Sequence, residues 1–553
     1  MIAREVVVVG AGPAGLSAAI AAAGAGADTL LIDENGKAGG QLFKQIHKFF
    51  GSQSHRAGVR GIDIGRTLLK EADAAGVETW LNAVVWGLFE DRRLGILRDQ
   101  RSLEIQAKSI VLATGAMENA LSFPGWTLPG VITAGAAQTM INLHRVLPGR
   151  RVLMVGAGNV GVIVAYQLMQ AGAEVVAVVE ALPTISGYGV HAAKVRRAGV
   201  PILTSHTIVE ALGEAQVKAA TIARVDAGFH VIRGTEQRLE VDTICLAVGL
   251  TPMAELALMA GCQFTYIPDL GGHVPVHDDR METTFAGIYV AGDITGIEEA
   301  NTAMEEGRLA GTAIAASLGY LPEAVAEASL AQIRHNLDEL RLGQFGEKRA
   351  RAKAVQTGAA EPAGSNPEPG ESKPHTKQGT ADQVPSRGVR TTGVLSEEEL
   401  RSSPGYPSAE RLQKDKVVVI ECVQDIPCNP CELACRQGAI RIGVPITNLP
   451  VLDEELCSGC GLCIAACPGL AIFVVDMNHS DSEARVTLPY EYQPLPKVGD
   501  VVDAVDRAGQ PVTTGRVTSV QNPSSFDRTA TLSVDVPKQY GMVVRGIARR
   551  GMP

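Results

Sequence analysis

"VVVVGAGPAGLSAAIAAAGAGADTLLIDE" (Val6–Glu34) is the stretch whose reading decides the fold. Four valines run into a Gly-x-Gly-x-x-Gly turn, Gly10-Ala11-Gly12-Pro13-Ala14-Gly15, which opens an alanine-rich helical stretch and is followed by a second apolar run ending in acids. Strand, glycine turn, helix and strand make a dinucleotide-binding unit: the glycines permit a tight turn, close approach of backbone to pyrophosphate, and helix packing against the strand. Phosphate oxygens then meet the helix N-terminus. Asp33 can accept hydrogen bonds from a ribose, with Glu34 the neighbouring candidate. The pattern returns in "RVLMVGAGNVGVIVAYQLMQAGAEVVAVVE" (Arg151–Glu180), where Gly156, Gly158, Asn159 and Gly161 form the turn and Glu180 is the acid. Glu180 lies one position further from Gly172-Ala173 than Asp33 does from Gly26-Ala27, so the two repeats differ in register by one residue.

Around these repeats the chain is organised as a multidomain protein. Its 553 residues exceed one ordinary core. A formal net charge of -10 argues against a broad footprint for nucleic acid or anionic lipid. No apolar run reaches the roughly 20 residues that span a bilayer, and the N-terminus enters a strand with no signal-like segment, so a cytoplasmic location is expected. The alternation of short apolar runs with alanine-rich and glycine-rich stretches predicts an α/β first half with two dinucleotide-binding domains, the first over 1–148 and 250–325 and the second over 149–249. Helix and a flexible linker are expected over 326–414, the stretch from Phe345 to Lys414 being rich in Glu, Pro, Gly, Ser and Lys; an ordered loop wrapping a neighbour is the alternative. A cysteine-rich module follows over 415–488, and a small antiparallel β domain over 489–553, whose role is not readable.

Three further stretches make the first half specific: "GGQL" (Gly39–Leu42), "IVLATGA" (Ile110–Ala116) and "TTFAGIYVAGDITG" (Thr283–Gly296). With the glycine turns, they resemble the two-dinucleotide flavoproteins of the thioredoxin and glutathione reductase type. The resemblance implies FAD at Gly10, Gly12, Pro13, Ala14, Gly15 and Asp33, with Gly40 and Gln41, Ala113, Thr114 and Gly115, and Gly292 and Asp293 completing the site; Asp293 matches the carboxylate that binds the ribityl chain. It implies NAD(H) at Gly156, Gly158, Asn159, Gly161 and Glu180, since Glu180 repels a 2'-phosphate; an empty second fold is the alternative. The helix near Asn301 is expected to point its N-terminus at the flavin. A disulfide reductase needs two neighbouring thiols, yet only Cys245 and Cys262 precede residue 400. Cys245 reads as a buried core residue, and Cys262 likewise.

Eight of the ten cysteines fall between Cys422 and Cys467. "CSGCGLCIAACPG" spaces Cys457, Cys460, Cys463 and Cys467 as in the bacterial ferredoxin run, whose fourth cysteine reaches the other cluster in two-cluster ferredoxins. By that resemblance, one [4Fe-4S] cluster takes Cys435, Cys457, Cys460 and Cys463, and a second takes Cys428, Cys431, Cys467 and Cys422. Asp425 stands where a ferredoxin has cysteine, so an Asp425 ligand, a three-iron cluster or an empty first site stay open, as does zinc at the second run. The fold class is therefore two Rossmann-like domains with an α+β ferredoxin-like module and a C-terminal β unit.

"GGQLFKQIHKFFGS", "FPGWTLPGVITAGAAQ" and "GLTPMAEL" add a likeness to the electron-transfer subunits of multi-subunit dye-linked amine and amino-acid dehydrogenases, among them proline and hydroxyproline dehydrogenases, opine oxidase and hydrogen cyanide synthase. The resemblance implies a partner flavoprotein subunit that oxidises the carbon–nitrogen bond and an external electron acceptor. A self-sufficient NADH oxidoreductase and a nucleotide-binding scaffold are the alternatives. No catalytic base is assigned: His47 and His144 read as surface or packing residues before proton carriers.

Overall fold

The computed structural model describes residues 2–359 and 388–549. The chain divides into two compact units: Met1–Leu42, Gly65–Met117 and Leu250–Ser386 form the first, and Phe43–Ile64, Glu118–Gly249 and Arg387–Pro553 the second. Segments 43–64 and 118–148, expected with the flavin-type domain, thus group with the second unit.

In the first unit, strands run in the order Glu78–Trp80, Thr29–Ile32, Ile2–Val9, Arg101–Leu112, Arg93–Arg98 and Ala83–Leu88, and Ile288–Val290 also pairs with Arg101–Leu112. Neighbours are parallel as far as Arg101–Leu112, and the hairpin 83–98 adds antiparallel strands. Val6–Val9 is buried throughout, as an uninterrupted apolar run must be when helices cover both faces of a parallel sheet. Helix Pro13–Gly24 meets helix Ala300–Ser317 backbone to backbone: a Cβ at Gly307 would stand 2.0 Å from the Ala14 carbonyl oxygen, and one at Gly311 2.3 Å from that of Ala18.

The expected linker behaves differently where it is described. Helix Gly343–Gln356 buries Ala352, Lys353 and Gln356. Its anchor is ionic as well as apolar, which is why composition misses it: Ala352 packs with Ile267, Leu270 and Val274, Lys353 Nζ donates to Glu306 Oε1 (2.9 Å) and the Thr295 carbonyl (3.0 Å), and Arg341 Nη2, just before the helix, donates to Glu306 Oε1 (2.6 Å). Arg341 Nε also donates to Glu298. Residues 388–414 contain three short helices, Val389–Thr392, Glu397–Arg401 and Ala409–Leu412, of which the first two bury Val389 and Leu400 beside Leu395 and Ala193. The remainder of the expected linker, 360–387, lies outside the described residues.

The second unit holds a parallel sheet in the order Ile202–Thr204, Glu174–Glu180, Arg151–Val155, Thr243–Leu246, Val131–Thr133. Its register shifts between Val175 and Ala177. Val176 is thus a bulge that absorbs the extra residue of this repeat, and Val155 pairs Val179 just as Val9 pairs Ile32. An antiparallel sheet follows the order Val417–Ile420, Ile472–Asp476, Glu483–Tyr490, Ala530–Pro537, Pro511–Gln521, Val501–Val505, Gly546–Ile547. The tail is antiparallel, but it is not a separate sheet: strand Glu483–Tyr490 runs across the expected boundary at 488/489 and pairs with Ile472–Asp476 of the cysteine-rich module. Glu421 Oε1, fully buried, accepts hydrogen bonds from Arg507 (2.6 Å) and Arg545 (2.5 Å), which come from the tail.

Burial alone would raise the Glu306 carboxyl, and the charges of Lys353 and Arg341 outweigh it and hold it well below its ordinary 4.5. Because the folded value is depressed, this contribution to stability is complete above about pH 4.5 and drains away as pH falls below that. Glu306→Gln is expected to lower unfolding free energy at neutral pH by about 3 kcal/mol, by leaving two buried cations short of a partner, and to flatten the acid limb of a melting-temperature against pH profile.

Candidate cofactor sites

The two glycine turns share one construction. Gly10 and Gly156 have φ of +100° and +107°, and a Cβ there would lie 2.3 Å from the Ala113 and 2.2 Å from the Ala247 carbonyl oxygen. The acid after each second strand closes the turn: Asp33 Oδ2 accepts the Ala11 N–H (2.7 Å), and Glu180 Oε2 accepts the Ala157 N–H (2.9 Å). The bulge at Val176 therefore delivers Glu180 to the place that Asp33 takes without one. Asp33 Oδ1 is held by Asn35, while Glu34 is exposed. Each turn is also covered by a glycine loop, Gly39 N–H donating to the Ala11 carbonyl (2.7 Å) and Gly187 N–H to that of Ala157 (3.1 Å). The sequence signalled the first of these covers, through "GGQL", but not the second.

Where a phosphate would approach, the first turn is open: a Cβ on Gly12 meets nothing within 4 Å, nor does one on Gly115. A Cβ on Gly40 would stand 2.8 Å from the Gly12 Cα, Gln41 is exposed, and the Thr114 hydroxyl is tied to the Met253 carbonyl. Gly292 packs against Ala14. Burial pushes the Asp293 carboxyl up to about 7, against a hydrogen bond from the Glu298 N–H, so near neutrality it can both accept from and donate to a hydroxyl-bearing ligand. Open turn and half-buried carboxyl fit a flavin dinucleotide. In the second turn, Gly158 faces only the Ser186 hydroxyl, 3.5 Å from a Cβ, and Asn159 Oδ1 accepts the Tyr188 N–H at 2.7 Å.

The eight clustered thiols separate into two groups of four. Cys422, Cys428, Cys431 and Cys467 line one cavity with Phe50, Val190 and Gln424; Cys435, Cys457, Cys460 and Cys463 line another. Asp425 is exposed and is not among the lining residues. Among the described residues no three His, Cys, Asp or Glu side chains are set to hold a single metal ion. The two crossing cysteines have matching surroundings: Ala439 N–H donates to Cys435 Sγ (3.2 Å) and Ala471 N–H to Cys467 Sγ (3.5 Å). Burial, with the charge of Cys467, pushes Cys422 up to about 12, and burial raises Cys428, Cys431 and Cys467 as well. Thiolates here therefore demand positive charge, which fits iron in an all-sulfur donor set.

Sequence reasoning missed the wall of the first cavity. Segment 43–64 supplies it: Gly51 bridges to Cys428, its carbonyl accepts the Asn429 N–H at 3.1 Å, and buried Lys48 donates to the Ala465 carbonyl at 2.6 Å. Arg197 Nη2 donates to the Leu470 carbonyl at 2.7 Å. No local motif announces such pairings between distant segments. His47 packs against Phe49 and His191, whereas His144 is exposed. Cys245 is fully buried in its strand, and Cys262 Sγ lies 3.4 Å from the Thr283 hydroxyl.

The family model for pyridine nucleotide-disulphide oxidoreductases matches residues 4–307, more than half of the chain. The chain belongs to the pyridine nucleotide-disulphide oxidoreductase family. It carries in addition a 4Fe-4S binding domain matched over residues 450–473. It is 31% identical over 338 residues to an opine oxidase subunit of Agrobacterium tumefaciens (strain Ach5), covering 57% of this chain and 66% of the relative. With the alpha subunit of sarcosine oxidase from Corynebacterium sp. (strain P-1) it shares 28% identity over 332 residues, 57% of this chain and 33% of the relative. The matched region thus spans just under two thirds of the first relative and a third of the second. Among solved structures, L-proline dehydrogenase from P. horikoshii aligns over 60% of this chain and 59% of its own, at 24% identity and a TM-score of 0.46. Among the described residues no helix is long and apolar enough to cross a membrane.

Two substitutions separate the roles of the glycines in this family's turn. Gly12→Glu, whose side chain enters open space, is expected to strip the purified protein of its flavin absorbance while lowering the melting temperature no further than removal of the flavin from the parent chain does. Gly10→Ala, strained by its positive φ and by contact with Ala113, is expected to lower stability by about 2 kcal/mol or more, measured by denaturant unfolding.

Proposed function

We propose that the chain is the electron-transfer subunit of a multi-subunit amine or amino-acid dehydrogenase. In this reading it takes electrons from an FAD-dependent partner and passes them to an external acceptor in the cytoplasm. The observation that carries the reading is the division of eight cysteines into two cavities of four in a chain that also has a flavin-type glycine turn. FAD accepts electrons in pairs and releases them singly, which suits one-electron [4Fe-4S] carriers.

The chain's own residues have definable tasks under this reading. Gly10, Gly12 and Gly15 bring backbone N–H groups to the pyrophosphate, Asp33 fixes the turn and faces the ribose, and Asp293 takes the ribityl hydroxyls. Cys422, Cys428, Cys431 and Cys467 hold one cluster, and Cys435, Cys457, Cys460 and Cys463 the other. Ala439 and Ala471 stabilise negative sulfur through their N–H groups. Cys460, exposed to solvent, marks the quartet that faces the acceptor. Relatives described as subunits of oxidases support a hetero-oligomer.

A second reading, a self-sufficient NADH oxidoreductase, is favoured by the second turn, which keeps the acid, the open Gly158 and the covering loop. Anaerobic stopped-flow separates the two: flavin in the isolated chain is expected to stay oxidised with NADH and to bleach once an amine is added together with the partner dehydrogenase. Bleaching by NADH alone would overturn the relay. About eight iron and eight sulfide per chain are expected, and Cys422→Ser is expected to remove or alter one of two paramagnetic signals while Asp425→Asn alters neither.

A further inference from the structure

The second glycine turn and the cavity of the Cys422 quartet share a wall. A Cβ at Gly187 would stand 2.8 Å from the Asn159 nitrogen and 2.9 Å from the Gly158 carbonyl carbon, so this residue lies directly on the turn. The next residue, Tyr188, gives its N–H to Asn159 Oδ1, and Gly189 gives its own to Gln424 Oε1 at 2.6 Å. Gln424 and Val190, both buried, line the quartet's cavity, and a Cβ on Gly469, two residues beyond Cys467, would come 2.8 Å from Val190. Three peptide units separate the residue on the turn from the residue on the cavity, a span of at most about 11 Å. All of these residues belong to the second unit.

We infer that occupancy of the second turn by a dinucleotide or other pyrophosphate-bearing nucleotide and the redox state of the Cys422 quartet are coupled through the segment Gly187–Val190. The inference rests on the proposed reading of the turn as a nucleotide site and of the quartet as a cluster site. A nicotinamide moves electrons as a hydride pair, so a ligand in this fold acts on the quartet by charge and by contact rather than as its one-electron donor. A pyrophosphate brings about two negative charges to the turn, and one electron added at the quartet brings another into the same buried region. The two events disfavour each other. Lys194 and Arg197, buried on the helix Gly189–Arg197 that the segment leads into, set the baseline potential but leave this difference in place. Coupling of this kind is reciprocal: whatever factor reduction takes from nucleotide affinity, the nucleotide takes from the reduction equilibrium.

The test uses the full chain, purified anaerobically, with ADP-ribose as a probe that has the pyrophosphate but no nicotinamide. ADP-ribose is expected to bind about fivefold to tenfold more weakly to dithionite-reduced than to oxidised protein. In a paramagnetic-resonance redox titration it is expected to lower the potential of one cluster by the matching amount, about 59 mV for a tenfold change. The signal that moves is expected to be the one altered by Cys422→Ser. Gly158→Asp puts a carboxylate at the turn beside the Ser186 hydroxyl, in ordinary contact and without a strained φ; it is expected to abolish ADP-ribose binding and the ligand-induced shift while both signals persist. Equal affinity for the two redox states with unmoved potentials would overturn the coupling and leave the nucleotide site intact. Failure of ADP-ribose to bind in either state would overturn the coupling together with the nucleotide reading of the turn, and a shift confined to the other signal would overturn the route through Gly187–Val190.

Discussion

Two cysteines that cross over govern the second unit. Cys467 follows the run Cys457–Cys463 in sequence yet lines the cavity of Cys422, Cys428 and Cys431, and Cys435 makes the opposite crossing. Neither cavity has four thiols unless both halves of the module are in place, so the short helices Pro430–Ala434 and Leu462–Ala466 are forced into company. The halves are near copies, as the equivalent N–H groups of Ala439 and Ala471 show. The rest of the unit is then arranged around them: segment 43–64 and helix Gly189–Arg197 close one cavity, while the other keeps Cys460 at the surface.

The tail sheet answers a problem that this module cannot solve alone. Its own strands are short, the pairs being Val417–Ile420 with Ile472–Asp476 and Ile440–Arg441 with Val451–Leu452. The edge of Ile472–Asp476 would expose unpaired backbone groups. Strand Glu483–Tyr490 and four strands from the tail extend it and bury Val486, Leu532 and Val534. They also bring Arg507 and Arg545 to Glu421, the neighbour of Cys422. A buried Arg–Glu–Arg set is weak as a source of stability, but it specifies where the Cys422 backbone lies.

What the sequence made legible were features written in adjacent residues. The glycine turns, the acids Asp33 and Glu180, and the two cysteine runs are each complete within about 30 residues, and their spacing is their geometry. The reciprocal grouping of thiols was reachable because ferredoxin-type spacing carries the crossing with it. What stayed hidden depends on partners far apart in the chain. Lys48 reaching Ala465, Gln424 reaching Gly189 and Lys353 reaching Glu306 leave no periodicity to detect. Composition also outweighed a local signal in the supposed linker: Ser396-Glu397-Glu398-Glu399 is a capping box, Ser396 Oγ accepting the Glu399 N–H at 3.2 Å and Glu399 Oε2 accepting the Ser396 N–H at 2.7 Å.

The bulge at Val176 shows which measurement the fold keeps. The second repeat has one residue more between its Gly-Ala pair and its acid, and the strand disposes of that residue near its start. Alignment is restored before Val179, so the carboxylate arrives at the Ala157 N–H as if nothing had been inserted. The position of the acid is thus reckoned backwards from the carboxyl end of the sheet, where the glycine turn lies, and the opposite end serves as slack. Length differences in such strands are invisible to the chemistry so long as they are spent on the far side.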